Sequence, residues 1–443
     1  MSILIYGGAV MTMTGVDHDT GYVLIGENGL IAALGAGEPP QDVLGAARAV
    51  VDAAGKVVLP GLVNAHTHLS QTFMRGLGDD RSLMDWLKGV VWPMQAAMTP
   101  DDVYLATLLG LVENITCGVT SLIKHHKITN SPAHNDAVLR AMLRIGLPAT
   151  LAYGWVDMGA GAPPVEASIA EMERLRAAAH GSPIRVAVGP MAPWRCTDEA
   201  MRRAFALAEA WDVPFHLHVA EAEAEVGLMI QRNGMRHVEW LAALDVLSPR
   251  TQLVHSVWLS AEEVDLIAER GAQVIHCPTS NMYLASGTAK VPDMLRRGIP
   301  VALGTDGPGS NNSQDMLELL KITILLAKID AMNATALLPA DVLRMATIAG
   351  AQATGQGSGT LEVGAPARII VVDIETPRSA PVHSPASALV YNAAGPDVDS
   401  VIIGAQFMMR DKQVQGIDVP ALLAECRDAA RRLVARAGLG EEA

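Results

Sequence analysis

Eight short apolar runs, separated by longer amphipathic segments, recur from residue 57 to about residue 350. Apolar runs that alternate with helix-like segments are typical of βα units on a parallel sheet. Eight such units close into a (β/α)8 barrel of the TIM type, whose active sites lie at the C-terminal ends of the strands. We therefore predict an α/β fold of this class, with functional residues at those ends. The runs are VVLPGLVNAHTH (57–68), GVTSLIKHH (118–126), PATLAYGWVD (148–157), IRVAVGPMAP (184–193), VPFHLHVAE (213–221), TQLVHSVWL (251–259), AQVIHCPTS (272–280) and PVALGTDG (300–307).

The two chain ends carry a different pattern. Residues 1–57 and the segments after the barrel contain short apolar or alternating runs broken by glycine, as in antiparallel β structure. We expect both ends to form one small β-sandwich domain, residues 1–57 and 361–443, beside a barrel domain of residues 58–360. The segment VPALLAECRDAARRLVARAG (419–438) has the apolar spacing of a helix and is expected to follow the sandwich.

Composition limits the partners of this chain. Aspartate and glutamate number 47 against 33 lysines and arginines, which gives a net charge of −14 at pH 7. Such a charge repels phosphate backbones and anionic lipid, so we expect neither nucleic acid nor a membrane surface as a partner. The four cysteines have no CxxC spacing, and no run approaches the roughly 18 apolar residues of a spanning helix. We expect a cytoplasmic protein with a small-molecule substrate, assembled as a homo-oligomer, either a dimer or a tetramer.

Two histidines close the first apolar run, in the sequence HTH. Residues i and i+2 of a strand point to the same face, so His66 and His68 would present both imidazoles to one point. Further polar residues end later runs: His218 the fifth, His255 the sixth and Asp306 the eighth. Imidazole and carboxylate are ligands that Zn²⁺ prefers, and three or four of them leave a position open for water. The pattern predicts a metal site at the C-terminal ends of the strands.

The fifth run contains two histidines, His216 and His218, and their period-two spacing alone does not distinguish them. We choose His218 because it lies nearer the strand end and because Glu221 follows it by three residues. A carboxylate there could take a proton from the attacking water and return it to the leaving group, the two-way role of a general base and acid. The alternative for Glu221 is a helix N-terminal acid stabilised by the helix dipole.

The order HxH, HxxE, H and D on eight βα units resembles that of the amidohydrolase superfamily. Three stretches, PGLVNAHTHLSQTFMRGLGDD, SNMYLASG and GTDGPGSNN, are similar to the branch that holds methylthioadenosine/S-adenosylhomocysteine deaminases, guanine-type deaminases and triazine hydrolases (chlorohydrolases). The resemblance covers essentially the whole chain. It implies that His255 orients the attacking water, that Glu221 shuttles protons and that Asp306 hydrogen-bonds the water. The metal, one divalent ion per chain, Zn²⁺ or alternatively Fe²⁺, is implied to be bound by His66, His68, His218 and Asp306.

The same resemblance bears on the number of metal ions. Members with two metals usually bridge them with a carboxylated lysine at the end of strand 4. The fourth run, IRVAVGPMAP, contains no lysine, which favours a mononuclear site. Lys124 belongs to the second run, which is the wrong strand for that role.

Nucleoside deaminases of this branch carry a histidine after strand 4, an arginine at the end of strand 3 and a glutamate after an RG motif. Met191, Gly154 and Asp79 stand at these places here, which argues against a ribose-bearing substrate. We therefore predict a hydrolase that deaminates an amino-substituted planar heterocycle of purine, pterin, pyrimidine, triazine or imidazolone type. The alternatives are release of chloride or hydrosulfide by the same residues, a nucleoside deaminase, and a non-catalytic scaffold relative.

Other residues near the predicted strand ends are candidates for contact with the substrate. Tryptophans at a barrel mouth can stack on a flat ring, and stacked pairs contribute about 0.5 to 1.5 kcal/mol beyond burial. Cations on the rim can bind a substrate carboxylate or an anionic ring oxygen. The family resemblance places His276 near the substrate. The candidates are Asp79, Trp86, His125, His126, Trp155, Met191, Trp194, Arg195, His276 and Ser310.

Overall fold

The computed structural model describes residues 1–127, 131–159 and 161–439. This part of the chain contains an eight-stranded sheet and a nine-stranded sheet. In chain order the strands are β1 Ile3–Val10, β2 His18–Ile25, β3 Ile31–Ala36, β4 Ala49–Asp52, β5 Lys56–Pro60, β6 Leu62–Thr67, β7 Val119–His126, β8 Ala149–Trp155, β9 Ile184–Pro190, β10 Phe215–Val219, β11 Thr251–His255, β12 Gln273–His276, β13 Val301–Leu303, β14 Arg368–Asp373, β15 Val398–Ile403, β16 Gln406–Arg410 and β17 Gln413–Val414.

Strands β6 to β13 form the eight-stranded sheet, in sequence order and with every neighbouring pair parallel. The two ends of this sheet meet where the Asp306 N–H donates a hydrogen bond to the His66 carbonyl at 2.9 Å. Each of the eight predicted runs contains one of these strands. The predicted barrel class is therefore confirmed, and the C-terminal strand ends lie together at one face of it.

The first apolar run is two strands and not one, so that prediction is wrong. β5 pairs with β14 in the nine-stranded sheet, whereas β6 pairs with β7 in the barrel. The chain changes sheet at Gly61, whose N–H donates to the Arg368 carbonyl at 2.9 Å. A Cβ at Gly61 would lie 2.0 Å from the Thr120 side chain, so a larger residue does not fit there. The expected domain boundary at residue 57 falls inside β5.

Both chain ends contribute to the nine-stranded sheet, as predicted. Its order is β17-β16-β15-β14-β5-β1-β2-β3, and β4 pairs with β1. β1 is parallel to β4 and β5 but antiparallel to β2, so the sheet is mixed. β3 reaches back to the segment before β14, where the Ile31 N–H donates to the Ala365 carbonyl at 2.9 Å. The expected sandwich is thus one curled sheet around an apolar core that includes Ile5, Val23 and Ile369.

Helices follow the barrel strands along the chain. In chain order the α-helices are α1 Gln41–Ala46, α2 Leu83–Trp86, α3 Trp92–Ala97, α4 Pro100–Thr116, α5 Pro132–Ile145, α6 Val165–Ala178, α7 Asp198–Trp211, α8 Glu223–Asn233, α9 His237–Ala243, α10 Ala261–Arg270, α11 Pro278–Tyr283, α12 Val291–Arg296, α13 Met316–Asp330, α14 Pro339–Arg344, α15 Gly350–Thr354, α16 Pro385–Tyr391 and α17 Val419–Arg436. Short 3₁₀ or π segments lie at Leu69–Met74, Leu87–Val91, Pro193–Arg195, Met345–Ala349 and Gly395–Asp397.

The helix ends follow from local chemistry. α10 begins after Ser260, whose hydroxyl accepts a hydrogen bond from the Glu263 N–H, and it ends at Gly271 in a left-handed conformation with φ 68°. α17 is the predicted C-terminal helix, and residues 440–443 of the expected domain lie outside the described residues. None of the described helices combines the length and apolar character needed to cross a bilayer.

Candidate metal centre and active site

Four side chains at the C-terminal ends of the barrel strands converge on one point. His66 and His68 lie at the end of β6, while His218 lies on β10 and Asp306 follows β13. The Asp306 Oδ1 atom is 3.2 Å from His66 Nε2 and 3.3 Å from His68 Nε2. The His68 and His218 Nε2 atoms are also 3.3 Å apart. Ligands about 2.0 to 2.1 Å from a tetrahedral ion are about 3.3 Å from one another, so this spacing fits a metal centre.

The hydrogen bonds of His68 and His218 fix their tautomers. His68 Nδ1 lies 2.8 Å from the His125 carbonyl, and His218 Nδ1 lies 2.7 Å from the Met191 carbonyl. A carbonyl only accepts, so each Nδ1 carries the hydrogen and each neutral ring keeps its lone pair on Nε2. Two lone pairs that face each other at 3.3 Å do not form a hydrogen bond. A cation between them satisfies both, and the carbonyls then act as the outer partners that orient metal-binding histidines.

His66 is oriented by a relay through His216. The Gln252 side-chain NH₂ donates to the Ala353 carbonyl at 2.7 Å, which leaves the Gln252 Oε1 to accept from His216 Nδ1 at 2.8 Å. His216 Nε2 then accepts from His66 Nδ1 at 2.8 Å, and the lone pair of His66 stays on Nε2. That atom is buried without a hydrogen-bond partner in the described structure. His216 therefore lies behind His66, and His218 is the β10 histidine that faces the cluster.

Asp306 presents one bare oxygen to the cluster. Its Oδ2 accepts hydrogen bonds from the hydroxyls of Ser280 at 2.6 Å and Ser310 at 3.1 Å, whereas its buried Oδ1 has no hydrogen-bond partner among the described residues. The backbone of Asp306 has φ 61°, and that of His255 has φ 70°. Residues other than glycine rarely adopt such values, and strained conformations of this kind gather at functional sites.

Burial keeps the clustered imidazoles neutral. It lowers the pKa values of His66, His68 and His218 below the ordinary histidine value. For Asp306, burial raises the pKa, but contact with the His66 and His68 imidazoles outweighs burial, and the pKa lies well below its usual range. Neutral imidazoles and an ionised carboxylate are the protonation states that bind a divalent metal.

Glu221 and His255 lie beside this cluster. The Glu221 Oε2 atom is 3.5 Å from His255 Nε2, and His255 Nδ1 is 2.9 Å from Asn281 Oδ1. Burial raises the pKa of Glu221 to about 8. Burial alone would lower the pKa of His255, but the charges of Glu221 and Asp306 raise it above its ordinary value. A buried carboxylate with a raised pKa beside a metal cluster is suited to proton transfer near neutral pH.

A cavity of about 870 Å³, including its open mouth, leads from solvent to this cluster. One wall is apolar and comes from helical residues 83–92, among them Leu83, Trp86 and Trp92. Met191 and Trp194, from the segment after β9, also line the cavity. A site lined by apolar and aromatic side chains, with convergent polar groups beside them, is suited to a small planar ligand.

The predicted substrate contacts divide into two groups. Half of the ten line the cavity: Trp86, His125, Met191, Trp194 and Arg195.

The other five do not line the cavity, because their side chains are directed elsewhere. Asp79 accepts from the Tyr283 hydroxyl on the exposed rim, and His126 Nε2 bonds Asn135 Oδ1 at 3.1 Å. Ser310 bonds Asp306 from behind. Trp155 lines a separate, adjacent cavity and His276 is buried outside the wall. Gly154 does not line the cavity either, because it packs against Met191: a Cβ at Gly154 would lie 2.7 Å from Met191 Sδ.

Glu225 is a cavity residue that the sequence did not single out. Its Oε2 accepts hydrogen bonds from the Glu221 N–H at 3.0 Å and the Ala222 N–H at 3.3 Å. Its Oε1 accepts from Trp194 Nε1 at 3.0 Å. Glu225 thus ties the loop that carries Glu221 to one wall of the cavity. Its only sequence signal was a position in the first turn of a helix, which ordinary capping explains. Gln71, Gln95 and Lys127 also line the cavity and were missed.

The barrel, its histidine-rich metal-binding site and the adjacent carboxylate define a hydrolytic enzyme. The sequence pattern of the amidohydrolase family matches residues 57–408, and the chain belongs to this family. It is 39% identical over 420 residues to 5'-deoxyadenosine deaminase of Methanothermobacter thermautotrophicus, covering 94% of this chain and 95% of that protein. It is 38% identical over 417 residues to 5-methylthioadenosine/S-adenosylhomocysteine deaminase of Nitratidesulfovibrio vulgaris, covering 93% and 92%. These matches confirm the family resemblance drawn from the sequence.

Solved structures share the whole fold. An adenosine deaminase from Xanthomonas campestris with bound zinc superposes with a TM-score of 0.91 at 32% identity, covering 98% of each chain. Atrazine chlorohydrolase from Arthrobacter aurescens, complexed with zinc, gives a TM-score of 0.89 at 24% identity, covering 97% of this chain and 100% of that one. At 24% identity, the similarity to the chlorohydrolase is evidence for a shared fold alone.

Proposed function

We propose that this protein is a metal-dependent deaminase that removes the exocyclic amine of an adenine nucleoside with a modified 5' position, releasing ammonia. One observation supports this chemistry. The Nε2 lone pairs of three histidines and the unpartnered Asp306 Oδ1 meet at one point, and Glu221 lies beside them in the cavity. The choice of a nucleoside as the substrate rests on relatives that match over more than nine tenths of the chain and are named for such substrates.

The residues present fit one divalent metal ion per chain, which we propose to be Zn²⁺. His66, His68, His218 and Asp306 would hold it through three imidazole nitrogens and one carboxylate oxygen. When bound, the ion supplies positive charge that lowers the pKa of a water molecule. The zinc in the Xanthomonas campestris structure supports this choice of metal.

Glu221 would carry the proton transfers, and His255 would orient the attacking water. Water adds to the ring carbon that bears the amine, and the carbon–nitrogen bond breaks as ammonia leaves. The Glu221 carboxylate takes one proton from the attacking water and delivers it to the adjacent ring nitrogen. It then takes the second proton, from the new hydroxyl, and delivers it to the amine, which leaves as ammonia while the ring carbonyl forms. His255 is held by Asn281 with its Nε2 towards Glu221, so it can orient the water for attack.

This substrate replaces the free heterocycle that we preferred from the sequence. That preference relied on three departures from the nucleoside deaminase pattern. Of the three positions, only Met191 lines the cavity; Gly154 is packed against Met191, and Asp79 is engaged at the rim. The cavity is lined by other polar groups that suit sugar hydroxyls and a 5' substituent: Gln71, Gln95, Lys127 and Arg195.

Product release from a substrate panel tests the proposal. Metal-loaded protein is incubated with 5'-deoxyadenosine, 5'-methylthioadenosine, adenosine and S-adenosylhomocysteine, and with amino-, chloro- and thioxo-substituted free heterocycles. Ammonia, chloride and sulfide are assayed in parallel, with Glu221→Gln as the inactive control. We expect ammonia from 5'-modified adenine nucleosides. Ammonia from free rings alone would restore the substrate predicted from the sequence, and chloride or sulfide without ammonia would replace the reaction.

We also propose a cellular compartment and an oligomeric state for the enzyme. All four cysteines are buried and unpaired, which supports a reducing, cytoplasmic environment. A homo-oligomer, a dimer or a tetramer, stays our expectation, and light scattering of the purified protein tests it.

A further inference from the structure

We propose that His125, on the second barrel strand, is a fifth protein ligand of the metal centre. Its Nε2 lies 2.9 Å from the Gly189 carbonyl, which only accepts hydrogen bonds. Nε2 therefore carries the hydrogen, and the lone pair of the neutral ring resides on Nδ1. The tautomer of His125 is fixed by the same kind of contact that fixes His68 and His218.

The Nδ1 atom of His125 is buried and has no hydrogen-bond partner within the described part of the chain. Burial of an acceptor without a donor costs about 1 to 3 kcal/mol, and such atoms are rare in folded proteins. The same condition holds for His66 Nε2 and Asp306 Oδ1, the two atoms that flank the proposed metal position. A shared cation explains all three unsatisfied atoms at once.

The His125 ring lies against the proposed ligands. Its centroid is 4.9 Å from that of His218 and 5.6 Å from that of His68, with rings inclined by 16° and 23°. One ligand atom each from His66, His68, His125 and His218 can be chosen so that all four lie within 4.8 Å of one another. Opposite nitrogen ligands of a single ion are at most about 4.2 Å apart, so the four imidazoles are near enough for side-chain shifts to bring them to one ion.

The surrounding backbone accommodates this imidazole. A Cβ at Gly189 would lie 2.8 Å from His125 Nε2 and 3.0 Å from Cδ2, so a side chain at position 189 would displace the ring. The His125 carbonyl also accepts the hydrogen bond that orients His68, at 2.8 Å. β7 thus contributes to the centre twice, through a main-chain oxygen and through a side-chain nitrogen.

A fifth protein ligand changes which metals suit the site. Zn²⁺ in proteins is mostly four-coordinate and expands to five, whereas higher coordination suits other divalent ions. We therefore expect the metal-loaded centre to have one protein ligand more than the set of His66, His68, His218 and Asp306. This inference depends on the proposed metal centre but not on the proposed substrate.

Two substitutions of His125 distinguish a metal ligand from a residue that only supports the fold. His125→Gln places an amide NH₂ near Nε2, so it keeps the donor to Gly189 and removes the Nδ1 lone pair. His125→Asn places an amide oxygen near Nδ1 and removes the donor. The full-length protein and both variants are stripped of metal and loaded with Co²⁺ as the probe. Visible absorption reports the coordination number, and competition with a chelator reports the affinity.

If His125 is a ligand, His125→Gln weakens Co²⁺ binding by more than about tenfold, the loss seen even for outer-sphere partners. Its spectrum becomes the more intense one of a four-coordinate ion, while His125→Asn stays closer to the wild type. The reverse order, with His125→Gln unchanged in affinity and spectrum, overturns the proposal. Wild-type protein that binds no Co²⁺ would overturn the metal centre itself, and His125 with it. Thermal unfolding of each variant checks that the fold persists.

Discussion

Glu221 and His255 face each other at the ends of neighbouring barrel strands, with Glu221 Oε2 3.5 Å from His255 Nε2. Asn281 holds the far nitrogen of His255 at 2.9 Å, and Glu225 holds the backbone of Glu221 at 3.0 Å. Asn281 thus orients the His255 ring, Glu225 fixes the backbone of Glu221, and both Glu221 and His255 line the cavity beside the metal cluster. This arrangement leads to predictions for the proton-transfer residue, its pH dependence and the cavity walls.

Replacement of Glu221 by glutamine should abolish proton transfer and leave metal binding intact, because the carboxylate is not one of the proposed ligands. We expect Glu221→Gln to lower kcat by about 100- to 10,000-fold, the usual contribution of a general acid–base residue, with unchanged metal content by atomic absorption. Glu223→Gln, on an exposed residue two positions further on, is the matched control and should keep wild-type activity. Near-normal turnover by Glu221→Gln would exclude this role for the residue.

The pH dependence of kcat/KM should report the ionisation of Glu221. Burial raises its pKa, the charge of His255 lowers it, and the charges of Glu225 and Asp306 raise it further, so that the pKa lies above the ordinary value. Because the base acts when ionised, activity should rise with pH along a limb whose midpoint lies above the ordinary glutamate pKa of about 4.3. Glu225→Gln removes a neighbouring negative charge and should move this limb to lower pH. An altered maximal rate with an unmoved midpoint would mean that Glu225 acts only on structure.

The tryptophan on the β9 side of the cavity should contribute to substrate binding. Trp194→Ala removes the flat surface and should raise KM roughly three- to tenfold, in line with about 0.5 to 1.5 kcal/mol for a stacked pair. Trp194→Phe keeps a ring and should lie between this variant and the wild type. Trp211→Ala, at the end of α7, is the control and should not change KM, since Trp211 does not line the cavity. An unchanged KM in Trp194→Ala would remove Trp194 from the binding surface.

Stability should fall in mild acid because of buried neutral histidines. Burial lowers the pKa of His237 to about 4, whereas the unfolded chain has an ordinary value of about 6.5. The unfolded state binds more protons between these values, so the contribution of His237 is complete above pH 6.5 and is lost as pH falls towards 4. The loss is on the order of 3 kcal/mol. The fall in Tm between pH 7 and pH 4.5 should be smaller in His237→Gln than in the wild type; an equal fall would contradict the assignment.

Much of the site could be predicted from the sequence because it is built on strand ends. The period-two spacing of His66 and His68 and the position of Asp306 at the end of the eighth run are local features. Parallel strands bring their C-terminal ends together without further information. The choice between His216 and His218 could not be made by spacing, since alternation puts both on one face. It depends on partners far along the chain, Gln252 behind one histidine and the Met191 carbonyl behind the other.

The features that were missed depend on tertiary contacts. The turn pair Pro60 and Gly61 is visible in the sequence, but it does not reveal that the residues before it join one sheet and those after it another. Trp155 is the last residue of β8, whereas Trp194 lies beyond the end of β9, and Trp155 lines another cavity. Glu225 could be recognised only as a capping residue, since its contact with Trp194 joins two separate βα loops.

Metal titration of the deaminase activity is the most direct measurement. Chelator-stripped protein receives Zn²⁺ in steps, and ammonia release from 5'-deoxyadenosine is followed at each step. We predict negligible activity without metal and a linear rise that saturates at one equivalent per chain. Full activity of the stripped protein, or saturation only at two equivalents, would contradict a single metal centre built from His66, His68, His218 and Asp306.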